Sequence, residues 1–284
     1  MKVVRSISGL REILAAHRET GATVALVPTM GAFHAGHEAL MRAARRADIV
    51  VVSLFVNPAQ FNEASDLEAY PRDEVRDEHI AEAAGVDVLF APTSGEVYPA
   101  GFATTVLVGP IADTLEGAHR GPAHFAAVAT VVVKLFGMAD PDVAYFGQKD
   151  AQQLAVIRRV VADLNLRVRI EAVPTVREPD GLALSSRNVR LRGADRERAT
   201  SLSAALRTAE AAIASGARDP RAIREAALRA MAAHEVEPEY LELVHPDTFE
   251  PLSSVNGRAL VAVAARLGDV RLIDNTLITT DQGA

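Results

Sequence analysis

The sequence predicts an α/β fold, a doubly wound parallel sheet followed by a smaller C-terminal α+β domain. Three observations predict it. Short apolar runs alternate with longer amphipathic stretches through the first 176 residues. The run at 49–56 (IVVVSLFV) is polar only at Ser53, as a strand covered on both faces must be. Beyond residue 176 the order changes to two Ala-rich helices and then three strands, an α+β pattern.

Taken in order, 23–28 (TVALVP) reads as a buried strand and 37–47 as a helix with basic residues on its outer face. The strand at 49–56 follows, then a charged helix at 71–84 that stops at Gly85, and a strand at 86–90. An apolar helix is expected at 125–138, a strand at 143–146, a helix at 150–164 and a strand at 168–173. In the second half the pattern predicts helices at 194–215 and 220–234, then strands at 240–244, 258–266 and 270–273. A domain boundary is placed near Val176, dividing the chain into 1–176 and 177–284, with the Pro- and Gly-bearing segment VREPDGLALSSRN at the junction.

Composition bounds the chemistry. The chain has 284 residues, 49% hydrophobic and 24% charged, which suits a globular core and excludes intrinsic disorder. Thirty basic residues against 37 acidic ones give a formal net charge of −7, a poor balance for general nucleic-acid binding. With no Cys, disulfides, thiolate metal sites and a cysteine nucleophile are excluded. The N-terminal run turns polar too early for a secretory signal, and no apolar run approaches the roughly 18 residues of a membrane span. A cytoplasmic protein, partnered by neither membrane nor nucleic acid, is expected. Only Lys2, Lys134 and Lys149 are lysines, so a Lys among reactive neighbours points to a use for ammonium geometry.

Three segments can carry chemistry. Pro28-Thr-Met-Gly-Ala-Phe-His-Ala-Gly-His37 follows a strand and leads into a helix, the place where α/β sheets bind ligands. A helix N-terminus there suits phosphate, and two imidazoles three residues apart can stabilise charge on a departing pyrophosphate. A structural turn and an H-x-x-H metal pair are the competing readings. Phe146-Gly-Gln-Lys-Asp-Ala-Gln-Gln153 repeats the strand–Gly–helix arrangement. Lys149 sits where the helix dipole prefers an acid, unless an anion is bound. Asp150 can cap that helix, and Gln153 lies one turn further on. Leu184-Ser-Ser-Arg187 offers two hydroxyls and a guanidinium for phosphate oxygens, or is simply a polar loop. Gln60, in Asn57-Pro-Ala-Gln60-Phe, follows the second buried strand at the same sheet edge. Asp77 lies in a charged helix whose default role is a solvated face. Arg120 and His124 either cover a cleft or cap the helix after them.

Together these strings resemble the pantothenate synthetase (pantoate–β-alanine ligase) family, nearly end to end. The resemblance rests on PTMGxxHxGH at 28–37, FVNPxQF at 55–61, DLxxYPR at 66–72 and FGQKDxQQ at 146–153. It continues in VPTVRExDGLAxSSRN at 173–188 and VAARLG…RLIDN at 263–275. The HxGH element alone is shared with the wider nucleotidyltransferase superfamily. The resemblance implies a Rossmann-like nucleotide- and pantoate-binding domain at 1–176 and a C-terminal α+β lid domain at 177–284. It implies ATP-dependent ligation of pantoate and β-alanine through pantoyl adenylate, with release of AMP and pyrophosphate.

By the same resemblance Met30, Gly31, Ala32, Phe33, His34, Ala35, Gly36 and His37 contact ATP, with His37 as proton donor. Gly147, Gln148, Lys149 and Asp150 hold the nucleotide, with Lys149 on its phosphates, and Val176 touches the adenine side. Leu184, Ser185, Ser186 and Arg187 clamp the phosphates, while Gln60 and Gln153 hold pantoate. His37, His34 and Lys149 are the catalytic candidates, Asp77 is the candidate Mg2+ ligand, and a homodimer is implied. Two departures from the family pattern stand out. Arg76 replaces a common acid before Asp77, and the 120–128 loop carries one extra residue, with Ala127 where Gly is usual. A nucleotide-binding relative without catalysis and another HxGH nucleotidyltransferase are the rival readings.

Overall fold

The computed structural model describes residues 1–61 and 67–280. Asp66, which opens the 66–72 string, lies outside the described residues. The chain forms two compact units: Met1–Gln148 with Val156–Pro174, and Lys149–Ala155 with Thr175–Ala284.

The first unit is built on a six-stranded sheet: β1 (Lys2–Val4), β2 (Val24–Thr29), β3 (Ile49–Leu54), β4 (Val88–Phe90), β5 (Val143–Gly147) and β6 (Arg169–Val173). Their order is β1-β4-β3-β2-β5-β6, and every pair is parallel. The chain builds outward from β2 on one side, through β3 and β4, and then returns to the other side with β5. The crevice between β2 and β5 is therefore a topological switch point, where α/β sheets place ligands. Its walls are the carboxyl ends Thr29 and Gly147.

Continuous apolarity made these strands legible, because both faces are covered. Val24, Ala25, Leu26 and Val27 are each no more than 1% exposed. On one face Ala25, Val27, Val50 and Val52 pack with Met41 and Ala44 of the helix Ala35–Ala44 and Ala81 of the helix Glu74–Ala83. The helices Ile7–Arg18 and Pro122–Ala139 pack against each other, the second also against β2. Ile7–Arg18 and the three-residue β1 were not anticipated. Ser6 caps that helix by accepting from the Gly9 N–H at 3.1 Å.

Most boundaries shift by a few residues. The helix expected from residue 37 starts at Ala35, and that expected at 150–164 runs Ala151–Asp163 after a 3-10 turn at Gln148–Asp150. The helix expected at 194–215 is two, Ala194–Arg198 and Thr200–Ala214.

In the second unit the antiparallel sheet runs β7 (Pro238–Val244), β8 (Arg258–Leu267) and β9 (Val270–Thr279), in that order. Leu206, Ile213, Ile223 and Met231 of the helices Thr200–Ala214 and Pro220–Ala232 form one core with Leu241, Val261 and Val263. This is the α+β arrangement expected of the C-terminal half. Among the described residues, no helix is long and apolar enough to cross a membrane.

Candidate active site

The turn after β2 is built from its backbone outward. Gly31 has φ +86° and Ala32 φ +53°, so two consecutive residues are left-handed, a conformation costly for Ala. A Cβ on Gly31 would stand 2.6 Å from Leu54 Cδ1 and 2.9 Å from Asp77 Oδ2, so only glycine fits. Phe33 drops its ring into the core at 0% exposure. His34 then caps the helix Ala35–Ala44 in extended backbone, its Nδ1 accepting from the Gly36 N–H at 3.1 Å. His37 reaches back one turn, its Nδ1 accepting from the His34 N–H at 3.3 Å. Two histidines thus make a capping box, a task usually done by Ser or Thr with Glu. Their ring centroids lie 4.2 Å apart. Because Nδ1 accepts in each ring, the neutral tautomer carries its proton on Nε2, a donor suited to phosphate oxygen. A Cβ on Gly36 would meet the His34 ring at 2.8 Å, so the second glycine of the 28–37 string makes room for its first histidine.

Asp77 belongs to this turn and not to a solvated face. It is 1% exposed, with Oδ2 accepting from the Ala32 N–H at 2.7 Å and Oδ1 from the Phe33 N–H at 2.8 Å. Both oxygens serve the turn, so this carboxylate is not a solvated-face residue. Burial pushes its carboxyl above the usual range, against the two backbone bonds, which favour the ionised form. Among the described residues no group of three or more His, Asp or Glu is arranged to hold a metal ion.

At the end of β3, Asn57 caps a 3-10 turn at Pro58–Gln60. Asn57 is 1% exposed, and its Oδ1 accepts from the Tyr98 hydroxyl at 3.0 Å while its Nδ2 donates to Gln60 Oε1 at 3.0 Å. With that oxygen accepting, Gln60 retains donor capacity through Nε2. Burial pushes the Tyr98 phenol up, so it stays a neutral donor. His124 Nδ1 lies 3.3 Å from the Gln60 carbonyl oxygen, while Arg120 pairs with the buried Glu116. Neither Asn57 nor Tyr98 was assigned a role from sequence. Asn57 sat within a recognised string, whereas Tyr98 lies 41 residues away with no local signal.

Gly147 ends β5, and Gln148–Asp150 turn into the next helix. In the second unit, Lys149 and Gln153 are half-buried, and the Lys149 carbonyl accepts from Asn275 Nδ2 at 2.8 Å. Val176 and Leu184 come together, the Leu184 N–H donating to the Val176 carbonyl at 2.9 Å across a hairpin that turns at Gly181. Ser185 caps the 3-10 turn Ser186–Arg190, accepting from the Arg187 N–H at 3.3 Å. Arg177 anchors the hairpin through a two-pronged pair with the buried Asp274, at 2.6 and 2.9 Å. That pair holds the guanidinium of Arg177 charged.

A family model described as Pantoate-beta-alanine ligase matches residues 2–277. The chain belongs to this family. A pantothenate synthetase of Cereibacter sphaeroides is 51% identical over 274 residues, covering 96% of this chain and 98% of that protein. One from Heliobacterium modesticaldum is 50% identical, covering 97% and 99%. The crystal structure of the Thermus thermophilus pantothenate synthetase superposes with a TM-score of 0.92 at 47% identity, covering 97% of this chain and 99% of that one. The Francisella tularensis pantoate-beta-alanine ligase, solved with Beta-gamma ATP and β-alanine, gives 0.80 at 34% identity, covering 98% and 97%. Membership of the pantoate–β-alanine ligase family makes the chain a ligase, with the Rossmann-like sheet and small antiparallel domain of its solved relatives.

Proposed function

We propose that the protein joins pantoate to β-alanine in two ATP-dependent steps. The observation that carries this reading is the pair of imidazoles capping one helix at the carboxyl end of β2, in a chain of the pantoate–β-alanine ligase family. In the first step a carboxylate oxygen of pantoate attacks the α-phosphorus of MgATP. The bond from that phosphorus to the bridging oxygen breaks, and pyrophosphate leaves with the electron pair. In the second, the amine of β-alanine attacks the acyl carbon of pantoyl adenylate. The acyl C–O bond breaks, AMP leaves, and the amine loses a proton. No step needs a protein nucleophile, in keeping with a chain without Cys.

The residues divide the work. The backbone from Met30 through Gly36 meets ATP, and His34 and His37 present Nε2–H donors whose worth grows as charge develops on the phosphates. Gly147, Gln148 and Asp150 hold the nucleotide, and the compact ammonium of Lys149 meets its phosphates. Val176 takes the adenine side, while Leu184, Ser185, Ser186 and the planar fork of Arg187 take phosphate oxygens. Gln60, held by Asn57, donates to pantoate together with Gln153. Neutral amides grip the hydroxy acid without quenching the carboxylate that must attack. Mg2+ bound with ATP would supply positive charge to its phosphates. A cytoplasmic homodimer is the form this reading implies.

The test is AMP release. Purified protein given ATP, pantoate and β-alanine releases AMP and pyrophosphate in step with product. Given ATP and pantoate alone, it releases one equivalent of pyrophosphate without free AMP. Equal AMP release with lactate in place of pantoate overturns the reading.

A further inference from the structure

Asp77 does not act alone on the histidine-bearing turn. Its neighbour Arg76 donates from Nη2 to the Phe33 carbonyl at 3.1 Å. The Phe33 residue is thus gripped at both ends. Its N–H lies on Asp77 Oδ1 at 2.8 Å and its carbonyl on Arg76, while Asp77 Oδ2 takes the preceding N–H of Ala32. Arg76 Nη1 and Asp77 Oδ1 are 4.0 Å apart, so opposite charges sit together on one backbone segment.

What that segment must do explains the grip. Its left-handed pair, Gly31 and Ala32, is disfavoured for an alanine and persists only where surroundings over-determine it. Immediately after it, the His34 N–H donates to His37 Nδ1, and the Phe33 ring lies 5.4 Å from the His37 ring. Any rotation of the Phe33–His34 peptide therefore turns the donor that sets the His37 tautomer. We propose that Asp77 and Arg76 are positioning residues of the ligase: a carboxylate and a guanidinium clamp Phe33 and so fix the orientation and tautomer of His34 and His37. This rests on the proposed role of those imidazoles in adenylation. The two partners differ usefully for an experiment. Asp77 is buried, whereas the Arg76 side chain is 55% exposed and tolerates replacement without opening the core.

The experiment combines kinetics with histidine-ring 1H–15N spectra of the full chain. Asp77→Asn keeps the volume but turns an amide N–H toward a backbone N–H, and Arg76→Ala removes the carbonyl's partner. Both variants are expected to lose kcat for pyrophosphate release, about 10- to 100-fold for Asp77→Asn and less for Arg76→Ala, with KM for ATP within about 3-fold. Arg76→Lys recovers part of the loss. The His34 and His37 ring signals leave the Nε2–H pattern, while those of His17 on the helix Ile7–Arg18 stay in place. Wild-type kcat with unchanged ring signals in folded Arg76→Ala overturns the proposal, as does a loss that follows the unfolded fraction alone. If Asp77→Asn does not fold, Arg76→Ala and Arg76→Lys decide it. The ring signals report on the clamp even if the wild type lacks ligase activity, so failure of the functional reading is separately visible.

Discussion

His34 and His37 each have two nitrogens, and the fold uses Nδ1 of both to build the helix start. Histidine is not a preferred N-cap, and under the proposed function the other nitrogen of each ring meets phosphate. On the proposed mechanism, His37→Ala removes a donor whose value rises in the transition state. Pyrophosphate release in a single turnover is expected to fall about 10²- to 10³-fold, while the ATP dissociation constant changes only a few-fold. Near-normal release would reduce His37 to a packed turn residue. The HxGH string was legible as chemistry because both glycines and both histidines lie close together in the chain. The partners of that string were not, since Asp77 lies 45 residues from Ala32 and reads locally as one more charge on a charged helix.

At the scale of elements, the segment after Pro174 is held by chemistry its own residues do not reveal. The hairpin carrying Val176 and Leu184 is fastened by Arg177 to Asp274 on β9, 97 residues away. Asp274 is 3% exposed, so removing the guanidinium leaves a buried carboxylate without its cation. For Arg177→Ala we expect a loss of about 3 kcal/mol in urea unfolding, the low end for a buried pair because Arg177 keeps some solvent. Adding Asp274→Asn to that variant should return part of it, since the charge that needed a partner is gone. A double variant less stable than Arg177→Ala would mean the carboxylate is satisfied by other groups. The element types were readable from apolar periodicity, whereas element ends were set by caps. Ser6, His34 and Asp73 each start a helix by accepting from a backbone N–H, and the strand or helix pattern does not carry that information.

At the scale of the whole molecule, stability is tied to pH at an exposed carboxylate beside the sheet, Asp48. Asp48 accepts from the Thr23 N–H at 2.8 Å and from its hydroxyl at 2.7 Å, joining the approach to β2 with the approach to β3. These bonds hold its carboxyl below the usual carboxylate range. Its contribution is therefore fully present above about pH 4 and is lost as pH falls through the lowered native value. Urea midpoints of wild type and Asp48→Asn should differ at pH 7 and converge toward pH 3. A gap that persists unchanged in acid would remove the linkage. The sequence by itself determined the α/β class, the change of pattern after residue 176, the absence of thiol chemistry and the strings that mark the ligase family. Those depend on periodicity, composition and short-range spacing, which are properties of neighbouring residues. Only the tertiary structure decided that β2 and β5 flank the switch point, that Asn57 and Tyr98 orient Gln60, and that Asp77 serves a backbone turn. Each is a contact between residues far apart in the chain. The free energy that selects it comes from burying one group against another, which no local pattern records.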